Sequence, residues 1–352
     1  MSWAAISDGR RVLKMERFDP GCLMVRGTLV IELQFTAEDD KPQTVIEMVR
    51  NAGWIREFKI ALLATGQMSL EHRQGDVVSR TVLDFERPDR DSTIRITYCW
   101  HAPERVGLLT LANPDTGTQF QSVLDRPQPW PGDDVAELIS NGQGCRFDQT
   151  INLLAVSDEV EPVGSYAGFA VGTLVDTDTG PRRIEDLRTG DNVQTSEHGM
   201  QPIRQIITHE VPALGRYAPV RLRAPFFGLT RDLTVAPDHR LLITGVDAEY
   251  LFGTDSVLVE ARYLQKMAGV PRKARASTIR YVQALLDAHV CISVAGAWGE
   301  SLYLGNLADR PMLHATSPLA HIPVRQLPRH TKIASPQLCG YEAIVLVSAL
   351  CA

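Results

Sequence analysis

The chain has 352 residues, of which 44% are hydrophobic and 22% charged, and its net charge is −6. These values are ordinary for a soluble globular protein, and the length favours two domains over a single core. Because no basic excess is available to neutralise phosphates, the composition argues against a nucleic-acid partner.

Apolar runs and cysteines exclude further classes of protein. No run approaches the roughly 18 apolar residues that span a bilayer, and the longest, AIVLVSALCA at 343–352, is predicted to be a buried terminal strand. The start, MSWAAISDGRR, lacks the apolar centre of a signal peptide, so we expect a cytoplasmic protein by default, with non-classical secretion left open. The nine histidines and six cysteines have no metal-ligand spacing, so we expect reduced thiols and no metal or cofactor.

The N-terminal part has the period-two pattern of antiparallel strands. In TLVIELQF (28–35) and TIRITYCW (93–100), alternate residues form an apolar face, namely Leu29, Ile31, Leu33, Phe35, Ile94, Ile96, Tyr98 and Trp100. Turn signals near Gly66, Gly75 and Pro88 separate the strands. Short strands at regular intervals predict an antiparallel β-sandwich.

The segment ITYCWHAPERVGLLTLANPDTGTQF (96–120) resembles concanavalin-like and laminin-G-like sandwiches. The resemblance implies a glycan or protein ligand for this part of the chain. A glycan site would need an exposed aromatic ring, for which Trp54, Trp100 and Trp130 are the candidates. The alternative, which we favour, is that these tryptophans pack in the core or in turns.

Composition also marks the domain boundaries. The Pro-rich RPQPWPGDD (126–134) is predicted to be a loop, 145–164 to supply one more strand, and DEVEPVGS to be a linker. We therefore predict a sandwich at 1–160, a second domain at 161–310 and an extension at 311–352 that packs on the second domain.

Ordered sequence blocks define the second domain. GFAVGTLVDTDTGPRRIEDLRTGDNVQT begins at Gly168, and PVRLRAPFFGLTRDLTVAPDHRLLI follows at 219–243. VLVEARYLQKMAGV (257–270) and IRYVQALLDAHVCISVAGAWGES (279–301) complete the series. These blocks resemble the Hint fold of hedgehog autoprocessing domains, inteins and their bacterial relatives. The resemblance implies an all-β domain with one short helix, at 257–270, and closing strands at 279–301. The fold class is therefore predicted to be mainly β throughout.

The resemblance also implies a reaction. In the family, the first residue of the domain attacks the preceding carbonyl in an N-to-S or N-to-O acyl shift, and a histidine protonates the departing amide nitrogen. The family's nucleophile position is Gly168 here, and the hydroxyl of its Ser/Thr-Pro-x-His motif is replaced by Ala236. Only His239, the general acid/base position, is retained. Ser165 is a possible nucleophile in a shifted register.

The closing block departs from the family too. An intein ends in His-Asn followed by a nucleophile, and AGAWGES (295–301) lacks that pair, so splicing is excluded. His289 is placed in a strand of this block, either as a packed histidine or in a catalytic role.

Three functions stay open after these departures. The domain retains self-cleavage through another nucleophile, or it is an inactive structural or binding module, or it carries a glycan- or protein-binding sandwich. A sequence altered at its active site is a fourth explanation. We favour the inactive module, because no side chain at Gly168 can attack a carbonyl.

Overall fold

The structure is a computed structural model that describes residues 3–19, 21–37, 41–51, 53–164, 167–268 and 276–350. The chain forms two compact units, Met1–Val163 and Gly164–Ala352. Both units are built mainly from antiparallel strands, so the predicted mainly β class is confirmed.

Long strands separated by tight turns make up the first unit. They are β1 (Trp3–Ser7), β2 (Val12–Met15), β3 (Leu23–Met24), β4 (Arg26–Phe35), β5 (Gln43–Asn51), β6 (Ile55–Leu63), β7 (Gln67–Gln74), β8 (Val77–Asp84), β9 (Ser92–His101), β10 (Val106–Asn113), β11 (Thr118–Asp125), β12 (Trp130–Pro131), β13 (Cys145–Phe147) and β14 (Ile151–Ser157). One sheet has the order β11-β10-β9-β4-β14-β1-β2 and the other β13-β5-β6-β7-β8, while β12 pairs with β3.

The two larger sheets enclose one apolar core. The predicted inward faces of β4 and β9 lie in it, together with Phe58 and Ile60 of β6 and Leu70 of β7. Period-two alternation along the strands places these side chains between the sheets, so the predicted sandwich is confirmed. The predicted loop at 126–134 is wrong in part, because a helix, α1 (Gly132–Ile139), begins within it and buries Val135 and Leu138 in the same core.

Shorter strands make up the second unit. They are β15 (Phe169–Ala170), β16 (Leu174–Thr177), β17 (Gly180–Arg183), β18 (Asn192–Thr195), β19 (Gly199–Pro202), β20 (Gln205–Pro212), β21 (Val220–Leu222), β22 (Leu233–Val235), β23 (Arg240–Thr244), β24 (Ser256–Glu260), β25 (Thr278–Leu285), β26 (Cys291–Val294) and β27 (Ala297–Glu300). One sheet has the order β20-β25-β15-β22-β21, and the other has the order β17-β16-β18-β26-β27-β23-β24, with β19 beside β18. The closing strands predicted at 279–301 are β25, β26 and β27.

Helices cover part of this core. They are α2 (Val246–Phe252), α3 (Ala261–Ala268), α4 (Pro311–Thr316) and α5 (Gly340–Leu350). The helix predicted at 257–270 is therefore correct only after β24 ends, and α2 is a second helix in the same region. None of the helices in these ranges is long and apolar enough to cross a membrane.

The terminal strand predicted at 343–352 is wrong, because its described part lies in α5. Ala343, Leu346 and Val347 of this helix join the core of the second unit. Their three- and four-residue spacing is helical, but an uninterrupted apolar run hides that period in the sequence. The extension also forms backbone hydrogen bonds with β24, where Leu258 N donates to Pro336 O and Leu338 N donates to Leu258 O.

Candidate functional site

Gly168, the predicted nucleophile position, lies directly before β15. β15 pairs with β22 on one side and with β25 on the other, where Phe169 faces Val235 and Val282. The Gly168 carbonyl accepts a hydrogen bond from Ala236 N at 2.9 Å. The central place of β15 in its sheet therefore brings the nucleophile position and the hydroxyl position together.

The backbone at Gly168 has a conformation that favours glycine. Its φ is +147°, which L residues rarely adopt. A Cβ added here would lie 3.0 Å from the Val282 carbonyl oxygen, 3.1 Å from Gln283 Cγ and 3.2 Å from Tyr281 Cβ. Any other residue at this position would therefore combine backbone strain with crowding from β25.

His239 reaches the same place through a turn after β22, in which its N–H donates to the Ala236 carbonyl at 3.1 Å. Its ring meets the Phe169 ring edge-on, with the centroids 4.2 Å apart. The side chain is fully buried, and neither ring nitrogen has a hydrogen-bond partner among the described residues. Burial lowers the pKa of His239 to about 4, so the imidazole is neutral at pH 7.

Glu300, at the end of β27, is a site residue that the sequence analysis missed. It is buried, and its Oε1 accepts a hydrogen bond from Arg240 N at 2.9 Å. Its Oε2 lies 2.8 Å from Arg240 Nη2 and 3.4 Å from His289 Nε2, and its Oε1 lies 4.0 Å from His239 Nδ1. Burial raises the pKa of Glu300, but Arg240 and the two histidines outweigh burial and hold it at about 2. The carboxylate is therefore ionised beside His239.

His289 links this carboxylate to the C-terminal extension. It lies in the connection before β26 rather than in a strand, which corrects the predicted placement. Its Nδ1 accepts a hydrogen bond from Ala334 N at 3.0 Å. Arg240 is held by the extension as well, because its Nη1 donates to Gln337 Oε1 at 2.6 Å. The extension thus contacts Arg240 and His289, two of the three residues around Glu300.

The two positions that the sequence predicts to be reactive, 168 and 236, hold glycine and alanine. Ser165 lies outside the described residues. Cys291 is on β26, directly opposite Glu300 in the strand pairing. Burial raises the pKa of Cys291 to about 12, so its thiol is protonated at neutral pH and unsuited to attack. Within the ranges that the structure describes, no group of three or more metal-ligating side chains is placed to hold a metal ion.

The tryptophans of the first unit divide into two kinds. Trp100 and Trp130 are each 1% exposed, and Trp100 Nε1 donates to the Met24 carbonyl at 3.0 Å. Both are core residues, as favoured from the sequence. Trp54 differs, because 52% of it is exposed.

Comparison with known proteins finds a family match for most of the second unit. Residues 167–306 match the family described as the Hint domain. A bacterial intein-like domain from Clostridium thermocellum is similar at 15% identity and a TM-score of 0.28, covering 39% of this chain and 100% of that chain. No curated protein matches the sequence.

Sandwich domains are among the similar solved structures. The IT-sialidase CBM40 of Ruminococcus gnavus is 16% identical with a TM-score of 0.27, over 38% of this chain and 76% of that chain. The LG1–3 region of the laminin α2 chain is 12% identical with a TM-score of 0.26, over 87% of this chain and 57% of that chain. The family match identifies a Hint domain at residues 167–306 of this chain.

Proposed function

We propose that this Hint domain no longer performs the acyl shift of its family and serves as a structural module. The observation that carries the proposal is Gly168, whose backbone conformation and tight surroundings favour glycine over any nucleophilic residue. An acyl shift needs an atom that attacks the preceding carbonyl, and general acid–base help of roughly 10²–10⁴-fold does not replace that atom.

The state of His239 supports the same conclusion. A catalytic histidine exchanges protons with a reacting group near neutral pH, and its pKa is tuned accordingly. His239 is instead fully buried, with a pKa of about 4 and no hydrogen-bond partner for either ring nitrogen among the described residues. It packs against Phe169, which is the role of a core side chain.

The Glu300 cluster gives the module its structural role. Glu300 lies among Arg240, His289 and His239, and the extension contacts the first two through Gln337 and Ala334. A buried carboxylate must be compensated by such partners, so folding of the β27 end requires the extension to be in place.

The test is self-cleavage of the full-length chain over a range of pH, with an added thiol or hydroxylamine to capture an ester or thioester. Wild type, His239→Gln and Ser165→Ala are compared by gel and by N-terminal sequencing of any product. We expect all three proteins to stay intact. Wild-type cleavage that the His239→Gln or the Ser165→Ala variant loses would overturn the proposal and identify the residue responsible.

A second candidate function is glycan binding by the sandwich, which Trp54 favours. The Arg56 guanidinium lies over the Trp54 ring, with its carbon 5.3 Å from the ring centroid. Arg56 is itself buried, and its Nε lies 3.3 Å from Asp134 Oδ2, while Asp134 Oδ1 accepts a hydrogen bond from Arg50 at 2.7 Å. One face of the ring is thus fixed by an anchored cation, and the exposed part of the ring is pre-organised for stacking on a sugar.

Binding of the full-length protein to a glycan array, with Trp54→Ala as the variant, tests this second function. Val77→Ala is the matched control, because Val77 is also exposed, at 61%. We expect Trp54→Ala to weaken binding and Val77→Ala to leave it unchanged. No glycan binding by the wild type would remove the second function altogether.

A further inference from the structure

A cleft in the first unit combines polar side chains with one aromatic ring. Its volume is roughly 250 Å³, and its lining includes Arg10, Asn141, Phe147, Asp148 and Gln149. These residues come from the turn between β1 and β2, from the segment after α1, from the end of β13 and from the connection between β13 and β14. The volume is below the range of roughly 300–1,000 Å³ that drug-sized ligands occupy, which suits a single sugar ring.

Three polar side chains in the lining are free to bind a ligand. Arg10, Asn141 and Gln149 are exposed, and their side chains have no hydrogen-bond or ion-pair partner in the described ranges. Other arginines of this unit are engaged, such as Arg80, which forms two hydrogen bonds with Glu71 at 2.9 and 3.0 Å. The cleft therefore gathers unused donors and acceptors at one place.

Asp148 is the fixed member of the lining. Its Oδ1 accepts hydrogen bonds from Thr150 N at 2.8 Å and from Thr150 Oγ1 at 2.5 Å, and its Oδ2 accepts one from Gln43 Nε2 at 2.8 Å. These partners orient the carboxylate without neutralising its charge. With Arg10 as the other charged group, the lining is electrically balanced and favours an uncharged ligand.

Two residues that line the cleft, Gly9 and Asn141, have a positive φ. Gly9 has a φ of +81°, and a Cβ there would lie 2.7 Å from the Ile151 carbonyl oxygen. Asn141 also has a positive φ, at +52°. Only glycine allows the backbone at position 9 to approach Ile151 of β14 this closely. No side chain therefore lies between the two backbone segments at this point of the cleft.

We propose that this cleft binds one unit of a neutral saccharide, through the Phe147 ring and the hydrogen-bonding groups of Arg10, Asn141, Asp148 and Gln149. The proposal rests on the second function above and adds a site distinct from Trp54. Planar amide, guanidinium and carboxylate groups match vicinal hydroxyls of a sugar, because each offers two hydrogen-bonding atoms in one plane. The half-buried Phe147 supplies the apolar surface against which the C–H face of a sugar ring packs.

The experiment uses the full-length protein with neutral and acidic glycans on one array, followed by titration with the best neutral monosaccharide in solution. The variants are Arg10→Ala, Asn141→Ala, Gln149→Ala and Trp54→Ala. Arg17→Ala is the matched control, because Arg17 is an exposed arginine outside the cleft. Arg10 and Gln149 do not have a positive φ, whereas Asn141 does. The substitutions at Arg10 and Gln149 therefore introduce no backbone strain.

We expect a neutral saccharide to bind and each cleft variant to weaken binding on the order of tenfold, the effect of one or two lost hydrogen bonds. Arg17→Ala and Trp54→Ala should leave titration of the monosaccharide unchanged. Binding that Trp54→Ala abolishes and the cleft variants leave intact would overturn the cleft while keeping the sandwich function. Binding of acidic glycans alone would overturn the argument from balanced charge, and no binding at all would overturn both functions.

Discussion

Replacement of Gly168 by alanine tests our proposal that the backbone and the surroundings at this position favour glycine. The added Cβ lies 3.0 Å from the Val282 carbonyl oxygen and 3.2 Å from Tyr281 Cβ, on a backbone with φ of +147°. The strained backbone costs about 1–3 kcal/mol, and crowding in a packed strand costs a further ~1–3 kcal/mol. We therefore expect Gly168→Ala to lower the free energy of unfolding of the second unit by about 2–6 kcal/mol.

Gly190→Ala is the matched control for this substitution. Gly190 has a φ of +91°, but nothing lies within 4 Å of its added Cβ, so this variant has the backbone cost without the crowding. The assay is native-state hydrogen exchange of amides in β25 and β27, because it reports on one unit of a two-unit chain. If Gly168→Ala destabilises the unit no more than Gly190→Ala does, the surroundings of Gly168 accept a side chain and our reasoning is refuted.

Three further predictions concern the same site. The double variant Gly168→Cys/Ala236→Thr should stay intact with added thiol, because the cysteine would have to adopt the strained backbone conformation at position 168. Cleavage detected by mass spectrometry would show that the backbone before β15 adjusts to accept the side chain. Glu300→Gln should destabilise the second unit by about 3 kcal/mol, since it leaves Arg240 without its buried charged partner. The control Asp287→Asn removes an ion pair whose side chains are more than half exposed, and it should cost under about 1 kcal/mol. Equal losses of stability in the two variants, measured by hydrogen exchange, would contradict this prediction. The His239 ring should titrate by NMR with a pKa near 4 rather than 6.5. Because the pKa is lower in the folded state than in the unfolded state, the stability that neutral His239 contributes is complete above pH 6.5. This stability is lost as the pH falls towards 4.

Local sequence patterns predicted much of the fold. Alternation in 28–35 and 93–100 gave the inward faces of β4 and β9, which lie in the core. These features depend on neighbours within a few residues, which is the range over which periodicity and turn chemistry act.

Features that depend on distant pairing were not predictable in the same way. Glu300 meets Arg240 across 60 residues of chain, and only the strand order places them together. The extension's contact with His289 spans 45 residues. An acidic residue at the end of an apolar strand was the available signal, but its partners could not be named from spacing. The exposure of Trp54, in contrast to Trp100 and Trp130, likewise depends on tertiary packing.

Glycine conformation is a second kind of information that the sequence lacked. Gly168 could be located from the family pattern, but not its φ or the closeness of β25. That geometry gives the glycine at position 168 a structural role, because the absence of a side chain there lets the chain before β15 lie close to β25. A return to cysteine would then need compensating changes in Tyr281 or Gln283.

The intact mass of the purified wild-type chain, after long incubation with a thiol at neutral pH, tests the proposed loss of self-cleavage most directly. We expect one species, at the mass of the intact chain, 38.9 kDa. A pair of fragments separated between Ala167 and Gly168 would contradict it, because the acyl shift would then proceed from a residue other than the one that the family uses.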